Sequence, residues 1–589
     1  MKPATMLSKA LALLCVLALF AAPVALADAA TTGSTATTAI DTSAVQDKGD
    51  AFSAPAVAPG QTNVFGWTVP DQTIQFTAFC SDGNFAPSSE DKVGIQNMHD
   101  YLLKYFNVDM TTTYADGDGT ERLNLMLSSG DYPDVIFGGS MNDSMVTKFK
   151  DQGRLVDLTP YVDTDLADVK ASIGDTYPLY LDADQKLWYV PNYIGGLADL
   201  PDNSLAIRWD EYQAIGAPPI NTPDDYYNVV MQILAKDPTT PDGSQRYSLS
   251  LYNGGSPESF CGYWGLKNGW QIGADNSFTY WAFTDAGKEM SQWFNKFYLS
   301  GTMDPDAFSN NFDSWKTKFT NEQIVGCIGG WWISWNAGHE VWELTDPNLP
   351  ADKRYVQVGM KAPDAAQAYV SGKSAYGWGY NTVITDKATD VEGILKFIDF
   401  QATIPGRQLI NWGIPGGVAT VQDPSVQFYD WTITSPTDWS FNPEQKQKLI
   451  DETYDYATEP VAGAANYPYA LFVNMTPYDT NGGTWDIFPN QMWYDQNKWK
   501  QMMMQNLAGT SFDSTPMVLR NVDQDTAMLQ QAVKDAWTQN WPNVVQAPDQ
   551  TSFDAAWQTL QDALTGAGID QYAKIMSDNY AANMAKLGQ

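Results

Sequence analysis

The sequence predicts an α/β fold with a helical C-terminal part. Residues 73–79 alternate apolar and polar side chains, as in a half-buried strand. Over residues 92–106 apolar side chains recur every three or four positions, which predicts a helix. A second helix over 121–128 and a second strand over 135–137 follow. Strands that alternate with helices in this way are typical of an α/β layer with parallel strands.

The same pattern continues along the chain. Residues 222–234 begin with Thr222 and Pro223, a capping residue followed by a first-turn proline, and predict a helix. Residues 391–400 also carry apolar side chains at helical spacing. The C-terminal third is predicted to be mostly helical, over 526–537, 552–564 and 569–585.

The first 27 residues predict a secretory signal peptide. Lys2 and Lys9 lead into an apolar run over residues 10–22, which is too short to span a bilayer. Small residues precede a cleavage position after Ala27, with Ala29 as the alternative. Residues 28–71 are rich in Ala, Thr, Ser and Pro and predict a flexible tether. We therefore expect an exported protein, at the cell surface or in the periplasm.

The chain is strongly acidic, with 69 Asp and Glu residues against 34 Lys and Arg residues and a formal net charge of −35 at pH 7. This charge argues against nucleic acid as a partner, because phosphates require clusters of Lys and Arg. It also argues against acidic sugars as ligands. Net charge of this size keeps an exported protein soluble, so we use it to exclude partners rather than to select one.

The cysteine and histidine content argues against a zinc site and against nucleophilic catalysis. After the predicted signal peptide the cysteines are Cys80, Cys261 and Cys327, which allow at most one disulfide and contain no CxxC pair. The histidines are His99 and His339, without an HExxH motif. We therefore predict no cofactor and no catalytic residue, while the pairing of the cysteines stays open.

Three segments each take the chain from a strand or helix to a tight turn rich in Gly, Asp or Trp: SSGDYPDVIF (128–137), VGCIGGWWISW (325–335) and PGRQLINWGIPGG (405–417). None of the three contains a nucleophile–base pair or a metal-ligand spacing. Two further segments, LWYVPNY (187–193) and LAIRWDEYQAIG (205–216), lie between them. Through these segments the chain resembles the extracellular solute-binding proteins (family 1) of carbohydrate ABC importers. Within that family it resembles the lipoprotein LplA-like branch, which includes the alginate-oligosaccharide-binding proteins.

The resemblance runs from about residue 72 to the C-terminus and implies a hinged two-lobe fold of the type II periplasmic-binding-protein class. It implies an N-terminal lobe of residues 72–200 plus 365–410 and a C-terminal lobe of residues 201–364 plus 411–589. It also implies a monomer that works with the membrane subunits of an ABC permease. Many relatives are lipid-anchored, but Cys15 follows Leu13-Leu14 rather than the small residue of a lipoprotein signal. The mode of surface retention therefore stays open.

Aromatic residues are the strongest chemical indication of a sugar site, with 22 Trp, 30 Tyr and 25 Phe. A ring packs its face against the C–H face of a pyranose, while neighbouring polar groups bond the hydroxyls. Most rings in a large fold belong to the core, so rings next to glycine-rich turns are the better candidates. The aromatic candidates are Trp331, Trp332, Trp335, Trp412, Trp378, Tyr376 and Trp264. Core packing is the competing interpretation of these rings. For Trp412 we expect ligand contact rather than packing inside a hinge turn, Trp335 fits both interpretations, and Trp264 is a weaker candidate than Trp378.

Polar candidates follow predicted strands or lie at the implied lobe crossing. Asp82 and Asn84 come after the first strand, where α/β folds place ligand-binding groups. Asn192 and Tyr193 lie at the first crossing between the implied lobes. Arg208 follows just after that crossing, and a structural ion pair is the alternative interpretation of it.

Some relatives carry a calcium loop after the helix that corresponds to residues 222–234. The matching stretch of this chain offers Asp237 and Asp242 as weak candidates for calcium ligands. Gly243 is displaced from the position that the sharp turn of such a loop needs, and the closing acid is missing. We therefore predict an ordinary Pro-Asp-Gly turn without bound calcium.

These observations predict a non-enzymatic receptor that captures a neutral oligosaccharide between two lobes and delivers it to an ABC permease. A secreted glycoside hydrolase or lyase is the alternative, with paired carboxylates drawn from Asp82, Asp210, Glu211 and Glu258. A sugar-binding surface adhesin without a transport partner is the third possibility.

Overall fold

The computed structural model describes residues 56–83, 92–116, 119–195, 204–251, 255–329, 342, 346, 348–377, 379–416, 429–451, 467–476, 478–480, 483–485 and 498–589. The predicted signal peptide lies outside these residues, as do the site candidates Asn84, Trp331, Trp332, Trp335 and Trp378. Within the described ranges, no helix combines the length and the apolar character that crossing a membrane requires.

The strands are short and spread along the whole chain. They are β1 (Ile74–Cys80), β2 (Val108–Tyr114), β3 (Val135–Gly138), β4 (Val190–Asn192), β5 (Ser204–Arg208), β6 (Tyr247–Ser250), β7 (Trp270–Ile272), β8 (Phe278–Tyr280), β9 (Ile324–Gly329), β10 (Tyr355–Gln357), β11 (Ser371–Lys373), β12 (Tyr380–Ile384), β13 (Trp431–Ser435), β14 (Asp438–Phe441), β15 (Tyr478–Thr480), β16 (Gly483–Trp485) and β17 (Ser511–Asp513).

The helices alternate with these strands and dominate the C-terminal end. They are α1 (Lys92–Phe106), α2 (Gly119–Ser129), α3 (Asp143–Asp151), α4 (Ala167–Ile173), α5 (Trp209–Ala214), α6 (Pro223–Lys236), α7 (Pro257–Phe260), α8 (Asp285–Leu299), α9 (Phe312–Thr320), α10 (Val391–Phe400), α11 (Ile404–Trp412), α12 (Pro443–Asp451), α13 (Lys498–Asn506), α14 (Gln524–Val545), α15 (Gln550–Gly566) and α16 (Ile569–Lys586).

The first sheet has the strand order β2-β1-β3-β12-β4. β1 lies parallel to β2 and to β3, as the strand–helix alternation predicts. β12 is antiparallel to both β3 and β4, which the local pattern did not predict. Because β12 runs in the opposite direction, its first residue lies at the edge where β1 and β3 end.

The second sheet has the order β10-β5-β9-β6. β6 and β9 are parallel, and β5 is antiparallel to β9 and to β10. Helix α6 packs beside this sheet and begins as predicted from the sequence. The Thr222 side chain accepts a hydrogen bond from the backbone N–H of Asp225, and the Asp225 side chain accepts from the N–H of Thr222, which completes a capping box.

Each sheet has its own large hydrophobic core. The first core is built by β1, β3, β12 and helices α1, α2, α3, α4, α10 and α11. The second is built by β5, β9, helices α6 and α8, and the C-terminal helices α14, α15 and α16. A smaller cluster around Trp315, Phe319 and Trp342 lies beside the second sheet.

The segment 411–589 contributes to both cores. Its buried residues between Trp412 and Trp485 lie in the first core, whereas those between Phe512 and Met576 lie in the second. The resemblance assigned the whole segment to the C-terminal lobe. The structure instead divides this segment between the two cores. The exact limits of the lobes remain a prediction.

The three cysteines in the described part of the chain are free and buried. Burial raises the pKa of the Cys80 thiol to about 12, so the reactive thiolate is suppressed at neutral pH. The three cysteines behave as small apolar residues of the cores.

Candidate ligand-binding site

Polar side chains gather at the edge of the first sheet where β1 and β3 end. Ser81 and Asp82 follow β1 directly, and Gly139 follows β3. Tyr380, the first residue of β12, reaches the same edge because that strand is antiparallel. The Tyr380 hydroxyl donates a hydrogen bond to Oδ2 of Asp82 at 2.9 Å. In α/β folds this edge is where ligands bind.

Close approach of the backbone keeps Tyr380 in place. A Cβ atom at Gly139 would lie 2.9 Å from the Tyr380 ring and 3.2 Å from Oδ2 of Asp82, so a larger residue there would displace the Tyr380 ring. On its other side, the Tyr380 ring makes an edge-to-face contact with Tyr193, with 5.4 Å between centroids. The phenol and the carboxylate are thus held in a fixed orientation at the sheet edge.

Asn192 has a structural role at this edge. Its side chain is fully buried, donates from Nδ2 to the carbonyl of Ala470 at 2.8 Å, and accepts from the N–H of Tyr193 at 2.8 Å. Tyr193 has a φ of 56°, a left-handed conformation that costs a non-glycine residue free energy. The Asn192 amide therefore stabilises the turn that places Tyr193 behind Tyr380.

A crevice of about 530 Å³ lies close to this edge. Its walls come from helix α3, which packs in the first core, and helix α14, which packs in the second. The lining residues are Asn142, Asp143, Ser144, Ser374, Tyr376, Gly377, Gly379, Val518, Leu519, Arg520, Val522, Ala527, Gln530, Gln531 and Lys534. Besides Tyr376, eight of these fifteen residues carry amide, hydroxyl, carboxylate or cationic groups, which can bond a polyhydroxylated ligand, whereas the ring of Tyr376 is buried.

An ion pair crosses the floor of the crevice. Nη1 of Arg520 donates to Oδ1 of Asp143 at 2.7 Å, and Nδ2 of Asn381 donates to the same oxygen at 3.1 Å. The guanidinium lies over the Tyr376 ring, 4.4 Å from its centroid. The sequence reasoning found Tyr376 but missed Asp143, Asn381 and Arg520. No local pattern could have found this contact, because Arg520 and Asp143 are 377 positions apart.

The structure separates the other predicted site residues. Trp412 is fully buried in the first core, where its ring contacts Trp431 and Trp439. Trp264 is buried in the second core against Trp293. The position of Trp412 goes against the expected ligand contact, because a fully buried ring has no face left for a sugar, and the position of Trp264 matches core packing. Of the described candidates, Asp82 and Tyr193 lie at the sheet edge and Tyr376 lines the crevice.

Arg208 is part of a buried ion-pair network. Its side chain is 2% exposed and donates to Asp210 at 2.8 and 3.0 Å and to Glu322 at 3.1 Å. The guanidinium also lies over the Trp342 ring, 4.9 Å from the centroid. These contacts match the ion-pair interpretation of Arg208.

The carboxylates considered for a hydrolase have structural partners as well. Asp210 binds Arg208, and Glu211 accepts two hydrogen bonds from Arg246, at 2.7 and 2.8 Å. Glu258 accepts a hydrogen bond of 2.5 Å from the Tyr280 hydroxyl, and burial raises its pKa. The acid pairs that the sequence offered are therefore engaged within the fold.

The groups of the Asp237 loop do not fit a calcium ion. The Asp242 carboxylate accepts from the Thr240 hydroxyl and from the N–H of Ser244 at 3.0 Å. The Asp237 carbonyl accepts from Nη1 of Arg246 at 3.0 Å, so a cationic side chain already occupies this position. Across the described residues, no cluster of three or more His, Cys, Asp or Glu side chains could hold a metal.

The described part of the chain thus has two α/β sheets, each with its own core, and a polar crevice between helices of the two cores. No family model matches the chain. By sequence it is 23% identical over 330 residues to the fructooligosaccharide ABC transporter substrate-binding protein FusA of Streptococcus pneumoniae serotype 4. That match covers 54% of this chain and 59% of FusA, so the chain spans about three fifths of its curated relative.

Solved structures share the fold over nearly their whole length. The alginate-binding protein AlgQ2, in a structure without calcium ion, has a TM-score of 0.61 and 18% identity, and the match covers 88% of this chain and all of AlgQ2. FusA in complex with kestose has a TM-score of 0.62 and 16% identity, over 87% of this chain and 99% of FusA. Both neighbours are carbohydrate-binding proteins by name.

Proposed function

We propose that this chain is an exported receptor that captures an oligosaccharide between two lobes and delivers it to an ABC permease. The observation that carries the proposal is the crevice of about 530 Å³ between α3 of the first core and α14 of the second. A ligand there would contact both halves of the molecule at once. FusA, the curated relative, is a fructooligosaccharide ABC transporter substrate-binding protein.

Binding between two halves couples ligand capture to closure. A sugar that contacts Asn142 and Ser144 on one wall and Gln530 on the other gains all these contacts only when the walls are close together. The ligand therefore favours the closed state by the free energy of the contacts that the open state lacks. Closure then presents a distinct surface to the permease.

A neutral oligosaccharide suits the site better than an acidic one. The net charge of −35 repels anions at long range, and Arg520 in the crevice is already neutralised by Asp143. Asp82 would accept hydrogen bonds from sugar hydroxyls, while Trp331 and Trp332 remain proposed stacking platforms. A micromolar dissociation constant corresponds to about −8 kcal/mol, which a few stacked rings and satisfied hydrogen bonds can supply.

The engagement of Asp210, Glu211 and Glu258 within the fold favours the receptor over a glycoside hydrolase. A hydrolase needs a free pair of carboxylates at a separation of roughly 5 to 9 Å across the substrate. The surface adhesin differs from the receptor only in lacking a permease. Stimulation of a reconstituted importer by this protein would separate the two.

Solution X-ray scattering tests the proposed closure. The chain from residue 28 onward is measured with and without a saturating neutral oligosaccharide whose binding has been verified by calorimetry. We expect the radius of gyration to decrease on binding. An unchanged radius of gyration at saturation would contradict closure and would leave a rigid sugar-binding module as the better description.

A further inference from the structure

The loop that joins α6 to β6 is held by a single guanidinium. Arg246 is 3% exposed, and three of its nitrogens each have a partner from a different segment. Nε donates to the carbonyl of Glu322 at 3.0 Å, Nη1 to the carbonyl of Asp237 at 3.0 Å, and Nη2 to the Glu211 carboxylate at 2.7 and 2.8 Å. One side chain thus ties α5, the end of α6 and the turn before β9 together.

Oxygen atoms that converge on one buried cation are the arrangement by which proteins hold structural calcium. Here the oxygens are two carbonyls and a bidentate carboxylate, and the cation is covalently part of the chain. The planar fork of arginine matches this set, because its donors point in several fixed directions at once. A calcium ion could not enter without displacing the guanidinium.

The rest of the loop is closed by its own hydrogen bonds. The N–H of Gly243 donates to the carbonyl of Thr240 at 2.9 Å, and the N–H of Arg246 donates to the carbonyl of Pro238 at 3.1 Å. The Asp242 carboxylate bonds Thr240 and Ser244 within the turn. Both bonds end on Oδ1, so this oxygen stabilises the turn.

The charges around Arg246 are balanced without a metal. Glu211 lies between Arg246 and Arg208, at 2.7 and 3.4 Å. Glu322 binds Arg208 at 3.1 Å and Lys353 at 2.7 Å through its carboxylate, while its carbonyl faces Arg246. A divalent ion added to this network would meet three cationic side chains.

Around Lys318, in the same half of the molecule, side-chain oxygens also surround a cationic side chain. Nζ of Lys318 donates to Asp304 at 2.6 Å, to Asp306 at 2.9 Å and to Oδ1 of Asn310 at 3.1 Å. The Asp304 carboxylate is fully buried. An ammonium thus occupies the centre of an Asp-x-Asp-x-x-x-Asn loop and donates to three of its side-chain oxygens.

We propose that Arg246 is an internal structural cation that replaces calcium in this loop, so that the folded state does not depend on a divalent metal there. Calcium or a calcium-binding motif is mentioned in the names of two solved structures with this fold: one is AlgQ2 without calcium ion, and another is an EF-hand mutant of FusA. The loop precedes β6, whereas Trp331 and Trp332 follow the far end of β9, which is parallel to β6, and the other proposed sugar contacts line the first sheet edge and the crevice. The inference is therefore independent of the proposed function.

Thermal unfolding of the chain from residue 28 onward tests the proposal, with wild type, Arg246→Met, Arg246→Lys and the control Lys236→Met. Lys236 is an exposed cation at the end of α6 beside the loop. We expect Arg246→Met to lower the unfolding midpoint by about 5 °C or more, because it leaves buried acceptors unpaired. Arg246→Lys should lower the midpoint by a smaller amount, since an ammonium can bond some of the three segments but cannot reach all of them. Lys236→Met should shift the midpoint by less than about 1 °C.

The same measurement in 2 mM EDTA and in 5 mM calcium chloride examines the metal directly. We expect the wild-type midpoint to agree within about 1 °C between the two conditions, since a site without bound ion gains nothing from free ligand. The proposal is overturned if calcium raises the wild-type midpoint by several degrees and Asp242→Asn abolishes that gain. It is also overturned if Arg246→Met unfolds at the wild-type temperature. Sugar affinity, measured in parallel, should be equal in wild type and Arg246→Met.

Discussion

The hydroxyl of Tyr380 donates a 2.9 Å hydrogen bond to Oδ2 of Asp82, a residue 298 positions earlier in the chain. The contact joins the end of β1 to the start of β12. It can form only because β12 enters the sheet antiparallel to β3, which brings its first residue to the edge where β1 ends. The result is an oriented carboxylate beside an aromatic ring, a combination that suits sugar hydroxyls and sugar C–H faces.

Replacing Tyr380 by Phe should weaken sugar binding about fivefold, which corresponds to about 1 kcal/mol for one lost hydrogen bond. Asp82→Asn should weaken it as well, because the amide accepts fewer hydrogen bonds than the carboxylate. Tyr132→Phe is the matched control, since Tyr132 donates a similar 2.7 Å bond to Asp386 after the far end of β12. Calorimetric titration measures all three. Equal losses in Tyr380→Phe and Tyr132→Phe would remove Tyr380 from the site.

Two groups of tryptophans should respond differently to truncation. Trp331→Ala and Trp332→Ala should each weaken sugar binding about tenfold with little change in stability, because we propose that these rings stack on sugar. Trp412→Ala should instead lower the free energy of unfolding by about 3 to 5 kcal/mol, because this ring is fully buried in the first core. Titration and denaturant unfolding separate the two effects. Unchanged affinity in both Trp331→Ala and Trp332→Ala would exclude that turn from the site.

Removing one partner of the ion pair between Arg520 and Asp143 should lower the stability of the fold substantially. Arg520→Gln leaves the Asp143 carboxylate without its cation in a position only 13% exposed, so the free energy of unfolding should fall by about 3 kcal/mol. Lys534→Gln, at an exposed position of the same crevice, should change it by less than about 0.5 kcal/mol. Denaturant unfolding checks both variants. Similar small changes in the two would mean that solvent already screens the Arg520 pair.

One carboxylate should make stability depend on pH in the acidic range. Burial, together with Asp168 and Asp165, raises the pKa of Asp399 to about 6, although its carboxylate accepts a 2.8 Å bond from the N–H of Val169. The unfolded carboxyl titrates near pH 4, so the folded state binds the proton more tightly. The stabilisation from this group is therefore present below about pH 4 and is lost as the pH rises to about 6.

The variant Asp399→Asn should not lose stability between about pH 4 and pH 6 through this group, because the amide does not ionise. At pH 7.5 it should be more stable than wild type by about 1 kcal/mol, a value reduced for solvent screening at this half-buried position. At pH 4 the two proteins should have nearly equal stability, because Asp399 is then protonated. Urea unfolding at both pH values is the measurement. A variant less stable than wild type at pH 7.5 would mean that the charged carboxylate supports the start of α4.

Apolar periodicity and capping residues predicted several helices and strands closely. The helix expected over 391–400 is α10 with the same limits, and the strand expected over 73–79 is β1 shifted by one residue. The Thr222–Pro223 signal also marks the start of α6. Apolar periodicity and capping depend on neighbours within one or two turns, so the sequence carries them directly.

The site was less predictable because its contacts are remote in sequence. Nothing near Tyr380 indicates that it meets Asp82, and nothing near Arg520 indicates Asp143. Asp134 is a further example. Asp is a common turn residue that often bonds its own loop, yet the Asp134 carboxylate accepts from the N–H and hydroxyl of Thr77 on β1, both at 2.8 Å. The partner of a polar side chain depends on the topology of the sheet, which periodicity does not encode.

Isothermal titration calorimetry of the chain from residue 28 onward, against a panel of neutral and acidic oligosaccharides, tests the central claim most directly. The receptor account predicts discrete heats that saturate near one site per chain with a neutral oligosaccharide and return to baseline after each injection. Sustained thermal power after each injection would reveal turnover and would contradict the receptor account in favour of a hydrolase or lyase. The absence of heat with every sugar of the panel would contradict it as well.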